Sequence, residues 1–115
     1  MIDHLGLPEP GQTGETIARL GALAGLDNCF LKIAGLAGFS NRSSLYRDTW
    51  PILAAAHELF GASRLVWGSD YPAAAPGSGY PDAVAAMRAV PFLSDVERDT
   101  VMHGTASDLW GPFDR

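Results

Sequence analysis

The run Arg64-Leu65-Val66-Trp67-Gly68-Ser69-Asp70-Tyr71-Pro72 is an apolar strand that ends in small residues, one carboxylate and a proline. Parallel α/β sheets carry out their chemistry in the crevice beyond the carboxyl ends of the strands. A carboxylate at such an end has its direction fixed by a rigid element, so Asp70 can take a proton from water or ligate a metal. For an isolated Gly-Ser-Asp, a plain turn aspartate after a buried strand is the simpler interpretation. The functional one gains from a second strand end of the same type, Ile2-Asp3-His4-Leu5-Gly6-Leu7-Pro8. There His4 should point into the crevice, where its imidazole can hydrogen-bond a substrate carbonyl or carboxylate. The structural alternative for His4 is a backbone hydrogen bond that fixes the turn.

These two strand ends need elements to hold them, and apolar runs alternate with helical patterns along the chain. A helix is expected over Thr13 to Ala24, with Ile17, Leu20, Leu23 and Ala24 on one face, Glu15 in the first turn and Gly25 at the stop. Asn28 to Ala34 reads as a strand, and Gly35 to Arg47 as a loop long enough to reach over a site at the strand ends. A second helix starts near Asp48 or Thr49, tolerates Pro51 only in its first turn, and ends at Phe60 before Gly61. Strand Leu65-Val66-Trp67 follows, then a Pro/Gly loop from Ala73 to Gly79. Pro81-Asp82 opens a third helix carrying Val84, Met87 and Val90. A last helix begins at Ser94, where Ser94-x-x-Glu97 forms a capping box. This βα, βα, βα order predicts a parallel sheet with right-handed crossovers, buried on both faces.

Other polar residues read as structural. Asp3 should face away from His4 by strand alternation and pair with a helix or backbone group. Lys32 lies inside an apolar strand, which requires a partner for its charge; an ion pair or a snorkelling side chain ranks above a catalytic amine. Arg64 sits at the strand end away from the active face, a stability position, and Trp67 is expected in the core. His57 is expected at the surface near a helix C-terminus, interacting with the final carbonyls. His103, before Gly104, reads as a helix C-cap residue.

Composition narrows the function classes. With 115 residues the chain is one domain at most, and 47% hydrophobic residues are enough for a core. A formal charge of −5, with 13 Asp and Glu against 8 Lys and Arg, argues against a nucleic-acid partner. Cys29 is the single cysteine, so no internal disulfide is possible; a buried, inert thiol is expected, compatible with a reducing cytoplasm. Apolar stretches are too short for a membrane span, and the N-terminus, with Asp3 and no basic region, does not read as a signal peptide. No Gly-x-Gly-x-x-Gly or phosphate loop supports a doubly wound ligand-binding module.

In order, Ile2 to Pro8, Lys32-Ile33-Ala34-Gly35-Leu36 and Arg64 to Pro72 resemble three strand motifs of the amidohydrolase-related family of (β/α)8-barrel hydrolases, in its lactonase-like branch. The resemblance covers nearly the whole chain but only the last three β/α units of that barrel. An eight-stranded barrel typically needs about 250 residues, and only Met1 and Ile2 precede the first Asp-His turn. Residues 1–115 are therefore read as one α/β domain, the C-terminal β/α units (about three) of an incomplete TIM-type barrel. A small open α/β domain is the alternative.

The resemblance implies a hydrolase acting on a small carboxylated or sugar-acid lactone. Asp70 would be the general base or a metal ligand, and His4 would orient the substrate or stabilise its oxyanion. Metal-dependent decarboxylation within the same family, or an inactive fragment or subunit, are the other readings. The family's metal-dependent members use a His-x-His pair that this sequence lacks, and of that ligand set only Asp70 carries over. A divalent, zinc-like metal is thus conceivable in the complete enzyme, with none expected to bind tightly to this chain alone. Where the family has Gly-Asn-Ala, this chain has Gly104-Thr105-Ala106, which bears on a hydrogen bond near the terminal helix rather than on the chemistry. The implied partners are a small-molecule substrate and a complementary barrel fragment or second copy, not nucleic acid or a membrane.

Overall fold

The computed structural model describes residues 1–9, 11–41, 44–73 and 79–112. Its centre is a parallel pairing of strand β1, Leu31–Ile33, with strand β2, Leu65–Trp67, in the register Leu31↔Leu65 and Ile33↔Trp67. Ile2 adds one parallel bridge on the other side of β1, donating its N–H to Phe30 at 2.8 Å and accepting from Lys32 at 2.8 Å. The spatial order is therefore Ile2, β1, β2, all parallel. Strand β1 is shorter than the expected Asn28 to Ala34.

Helix α1, Thr13–Ala24, has the expected bounds. Its buried stripe is Thr16 and Leu20, each 1% exposed, continued by half-buried Ala24 at the same i+4 step. Leu23, expected on that face, lies off this stripe and is exposed. The expected loop over Gly35 to Arg47 instead holds a short helix α2, Leu36–Phe39, and part of a 3-10 segment, Ser44–Thr49. Apolar Leu36 is buried there, which gives this stretch its own anchor in the core. Helix α3, Trp50–Phe60, follows with Pro51 in its first turn and Gly61 beyond its end. It lies against α1 and both strands.

Helix α4, Tyr80–Arg88, also starts with a proline in its first turn, and the N–H of Gly79 donates to Asp82 Oδ2 at 2.9 Å. Val90 is buried as expected but lies past the helix end. Of the preceding Pro/Gly loop, residues 74–78 lie outside the described residues. The last helical run comprises α5, Asp95–Asp99, a π-helical turn over Thr100–Gly104, and α6, Thr105–Trp110. His103 is consequently not a C-cap: Gly104 keeps helical angles (φ −59°, ψ −51°), so the helix continues through it. Thr105 is 1% exposed, and its hydroxyl donates to the Ala62 carbonyl at 3.2 Å.

The sheet face carrying Leu31, Ile33 and Leu65 packs against the helices, where Leu53, Phe60 and Val101 complete the core. Burial on both faces was expected, and on the other face it is partial: Val66, beside Lys32 in the register, is 4% exposed, whereas the side chains of Lys32 and Asp3 are 34% and 66% exposed. Lys32 Nζ meets Asp3 Oδ1 at 3.2 Å, so the charge inside the strand pairs with the neighbouring strand end. Among the described residues the partner of the Asp3 carboxylate is thus Lys32 on the adjacent strand, not the expected helix or backbone group. Trp67, expected in the core, packs on its edge, half-buried, with its ring edge-on to Tyr80 at 6.2 Å. Cys29 is likewise only half-buried.

Arg64 acts where its position indicated, away from the strand ends. Its guanidinium donates to the carbonyls of Ala24 and Leu26 at the end of α1 and of Leu59 and Phe60 at the end of α3, at 3.0 to 3.4 Å. Helix ends leave unsatisfied carbonyls, and one planar, five-donor side chain supplies both ends here.

His57 is not a surface residue reaching for the last carbonyls of α3. Its Nε2 lies 2.8 Å from Glu97 Oε1, and its side chain is 22% exposed beside Phe92. Glu97 also completes the capping box, accepting from Ser94 N at 2.9 Å while its own N–H donates to Ser94 Oγ at 3.2 Å. The Ser94 N–H, and after it the His57 hydrogen bond, hold the Glu97 carboxyl below its ordinary value. A carboxyl depressed in the folded state contributes stability above its unfolded pKa, and that contribution is lost as pH falls through the folded value. Thermal melts of the wild type and Glu97→Gln should therefore differ most above about pH 4.3 and converge on acidification below it. A stability gap independent of pH would refute this assignment.

Candidate active site

The parallel register sets the ends of three strands side by side, so residues far apart in sequence meet at one edge of the sheet. Directly after the Ile2 bridge the chain turns through His4–Gly6. After β2, Gly68 still donates to Ile33 O at 2.9 Å, and the chain then leaves the sheet at Ser69-Asp70. His4 Nε2 and Asp70 Oδ1, 66 residues apart in the chain, lie 3.1 Å from each other. Their side chains are 29% and 24% exposed, sheltered but reachable from solvent. The structure thus brings together the two residues singled out in the sequence, through a contact the sequence did not specify.

Both are held in unusual backbone. His4 (φ 51°), Leu5 (φ 54°), Leu7 (φ 56°) and Asp70 (φ 58°) adopt left-handed angles. Aspartate tolerates this conformation through its short polar side chain, whereas for leucine it is disfavoured by roughly 1–2 kcal/mol. The turn is offset by burial: Leu5 is 0% exposed in the core cluster. With Leu5 anchored beneath it, His4 on the preceding residue is held at the rim.

Only Oδ1 of Asp70 engages His4, and no hydrogen bond to Oδ2 occurs among the described residues. One carboxylate oxygen is thus oriented by an imidazole while the other can accept a proton from water. Next to Asp70, a small cleft is lined by Gly35, Leu36, Tyr46, Trp67, Gly68 and Ser69. Tyr46 comes from the segment expected to reach over the strand ends, and it does reach them. Gly35 was noted in the sequence only as part of a strand motif, with nothing to mark it as a neighbour of His4.

A catalytic zinc normally has three protein ligands and a water. Among the described residues no three His, Cys, Asp or Glu side chains are placed to hold a metal ion. His4 and Asp70 supply two donors at most, so the described residues do not by themselves fit a catalytic metal. No helix among the described residues is long and apolar enough to cross a membrane.

Replacing Leu5 by alanine removes the anchor beneath this turn. Leu5→Ala should destabilise the protein by about 3 kcal/mol, measured by denaturant unfolding. A loss below about 1 kcal/mol would mean that the turn is held by other contacts.

The amidohydrolase family model matches residues 1–111. Among solved structures, an amidohydrolase from Burkholderia multivorans is similar at 31% identity and a TM-score of 0.79, over 92% of this chain and 42% of that one. That protein has been solved with bound HEPES and, in a second crystal form, with bound zinc. A protein from Pseudomonas putida, assigned provisionally as a 2-pyrone-4,6-dicarboxylic acid hydrolase, is similar at 28% identity and a TM-score of 0.77, over 95% of this chain and 41% of that one. No functionally curated protein matches. The chain spans about two fifths of the length of these solved relatives, which are TIM barrels. Its small parallel α/β fold is consistent with part of such a barrel, and the chain belongs to the amidohydrolase family.

Proposed function

We propose that this chain supplies the water-activating half of a lactone-hydrolysing site, in an assembled barrel of which it forms about two fifths. The observation that carries this reading is the His4–Asp70 contact at the carboxyl edge of the sheet. Family membership gives hydrolysis as the reaction class. The Pseudomonas putida relative, named for a pyrone dicarboxylate, supports a small carboxylated lactone as substrate.

In this mechanism Asp70 accepts a proton from a water that stands against its Oδ2, and the water oxygen adds to the lactone carbonyl carbon. The carbonyl oxygen becomes an oxyanion, and the Nε2–H of His4 turns from Asp70 to donate to it. Collapse of the adduct breaks the bond to the ring oxygen, which takes the proton held by Asp70 and leaves as a hydroxyl. The ring opens to a carboxylic acid. The remaining barrel strands, attached or supplied as a partner fragment or second copy, would close the sheet and add substrate contacts. Any metal would need ligands from that remainder.

Asp70→Asn keeps the side chain's shape and its left-handed backbone while removing the basic oxygen. In the turnover-competent assembly, with 2-pyrone-4,6-dicarboxylate and sugar-acid lactones as probes, it should lower kcat by about 100-fold or more. The thermal melt should change little. Undiminished turnover by the Asn variant would overturn the general-base role.

A further inference from the structure

Gly35 occupies the point where the three strand ends converge. It follows β1 and Ala34, is buried, and has φ +70° and ψ 21°. A Cβ built on it would stand 2.7 Å from His4 Cδ2, 3.6 Å from His4 Nε2 and 3.5 Å from Asp70 Oδ2. The first distance is shorter than carbon atoms can approach, and the ring it strikes is held through Leu5 in the core and through Asp70. The space that a side chain would take is the space that the imidazole uses to reach the carboxylate.

We infer that Gly35 is a positioning residue: its missing side chain sets the approach of the His4 ring to Asp70. Resting on the reading of His4 and Asp70 as the reactive pair, it adds a third strand to the site. The strand between the two reacting groups contributes no functional side chain, only clearance. Any residue larger than glycine pushes the ring out of line with Oδ1. Because Oδ2 makes no hydrogen bond among the described residues and lies 3.5 Å from where that Cβ would stand, the same side chain would also crowd the proposed proton acceptor.

Two effects of a substitution must be separated, since left-handed angles strain most residues whatever the space around them. Gly11 provides the control: its φ is +83°, and a Cβ there would meet nothing within 4 Å. Asparagine provides a second, because it tolerates left-handed backbone yet carries the same Cβ. The measurement is the long-range 1H–15N spectrum of the histidine rings in the full chain. His57 and His103 report the integrity of the fold in the same spectrum.

Gly35→Ala and Gly35→Asn should both shift the His4 ring signals away from their wild-type positions, as should Asp70→Asn. The His57 and His103 signals should stay, and Gly11→Ala should leave all three histidines unchanged. In the active assembly the Gly35 variants should lose about 100-fold in kcat, as for misplacement of a reacting group by about 1 Å, with KM little altered. Unshifted His4 signals in folded Gly35→Ala and Gly35→Asn would overturn the inference. So would unfolding of both variants, seen as collapse of the His57 signal, since it would assign Gly35 to stability alone. The ring spectrum does not depend on turnover. Shifted signals in a protein without lactonase activity would leave the positioning role standing and remove the proposed function.

Discussion

The main-chain hydrogen bonds that join Ile2, β1 and β2 in parallel are the constraint from which the rest of the molecule follows. Parallel pairing obliges each connection to cross back over the sheet, which puts α1 and α3 on one face and brings all three strand ends to one edge. The ladder is short, with three residues in each strand and one bridging residue. Its strength comes from what the helices bury against it: Leu31, Ile33 and Leu65 are nearly inaccessible. The edge so produced is where His4, Gly35 and Asp70 meet.

Unusual backbone gathers around that edge. Of the non-glycine residues with positive φ among the described residues, His4, Leu5, Leu7 and Asp70 belong to the two strand ends, and Tyr46 lines the adjoining cleft. Conformations of this kind persist only where surrounding packing over-determines them. The fully buried side chain of Leu5 is the clearest compensation, and the Lys32–Asp3 pair secures the residue just before the turn. A rigid element delivers each group, and a locally disfavoured turn aims it.

What the sequence disclosed depended on how local the cause was. Helices α1 and α3, the Pro51 and Pro81 starts and the Ser94–Glu97 capping box follow from residues within one or two turns, and they stand where their signals place them. The strand at Leu65–Trp67 was equally plain. Other features depend on partners distant in the chain. His57 was placed at the surface because its carboxylate, Glu97, is 40 residues away. Lys32 demanded a partner, yet only the register of the first strand end shows it to be Asp3. His103 was misread as a cap because Gly104, usually a terminator, keeps helical angles inside a π turn. His4 and Asp70 were each legible as candidates; their contact, and the role of Gly35 beside it, exist only in three dimensions.

Arg64 carries an implication for how the molecule opens. Its guanidinium binds carbonyls at the ends of both α1 and α3 and lies over the Phe60 ring at 5.2 Å. The two helix C-termini are therefore tied to each other through one side chain, its Nη1 on the α1 end and its Nε and Nη2 on the α3 end. Amide protons in the last turns of α1 and α3 are accordingly expected to open together in hydrogen exchange. The Arg64 side chain lies at the opposite end of the strands from the His4–Asp70 edge, so the two ends of the sheet are held by separate sets of contacts.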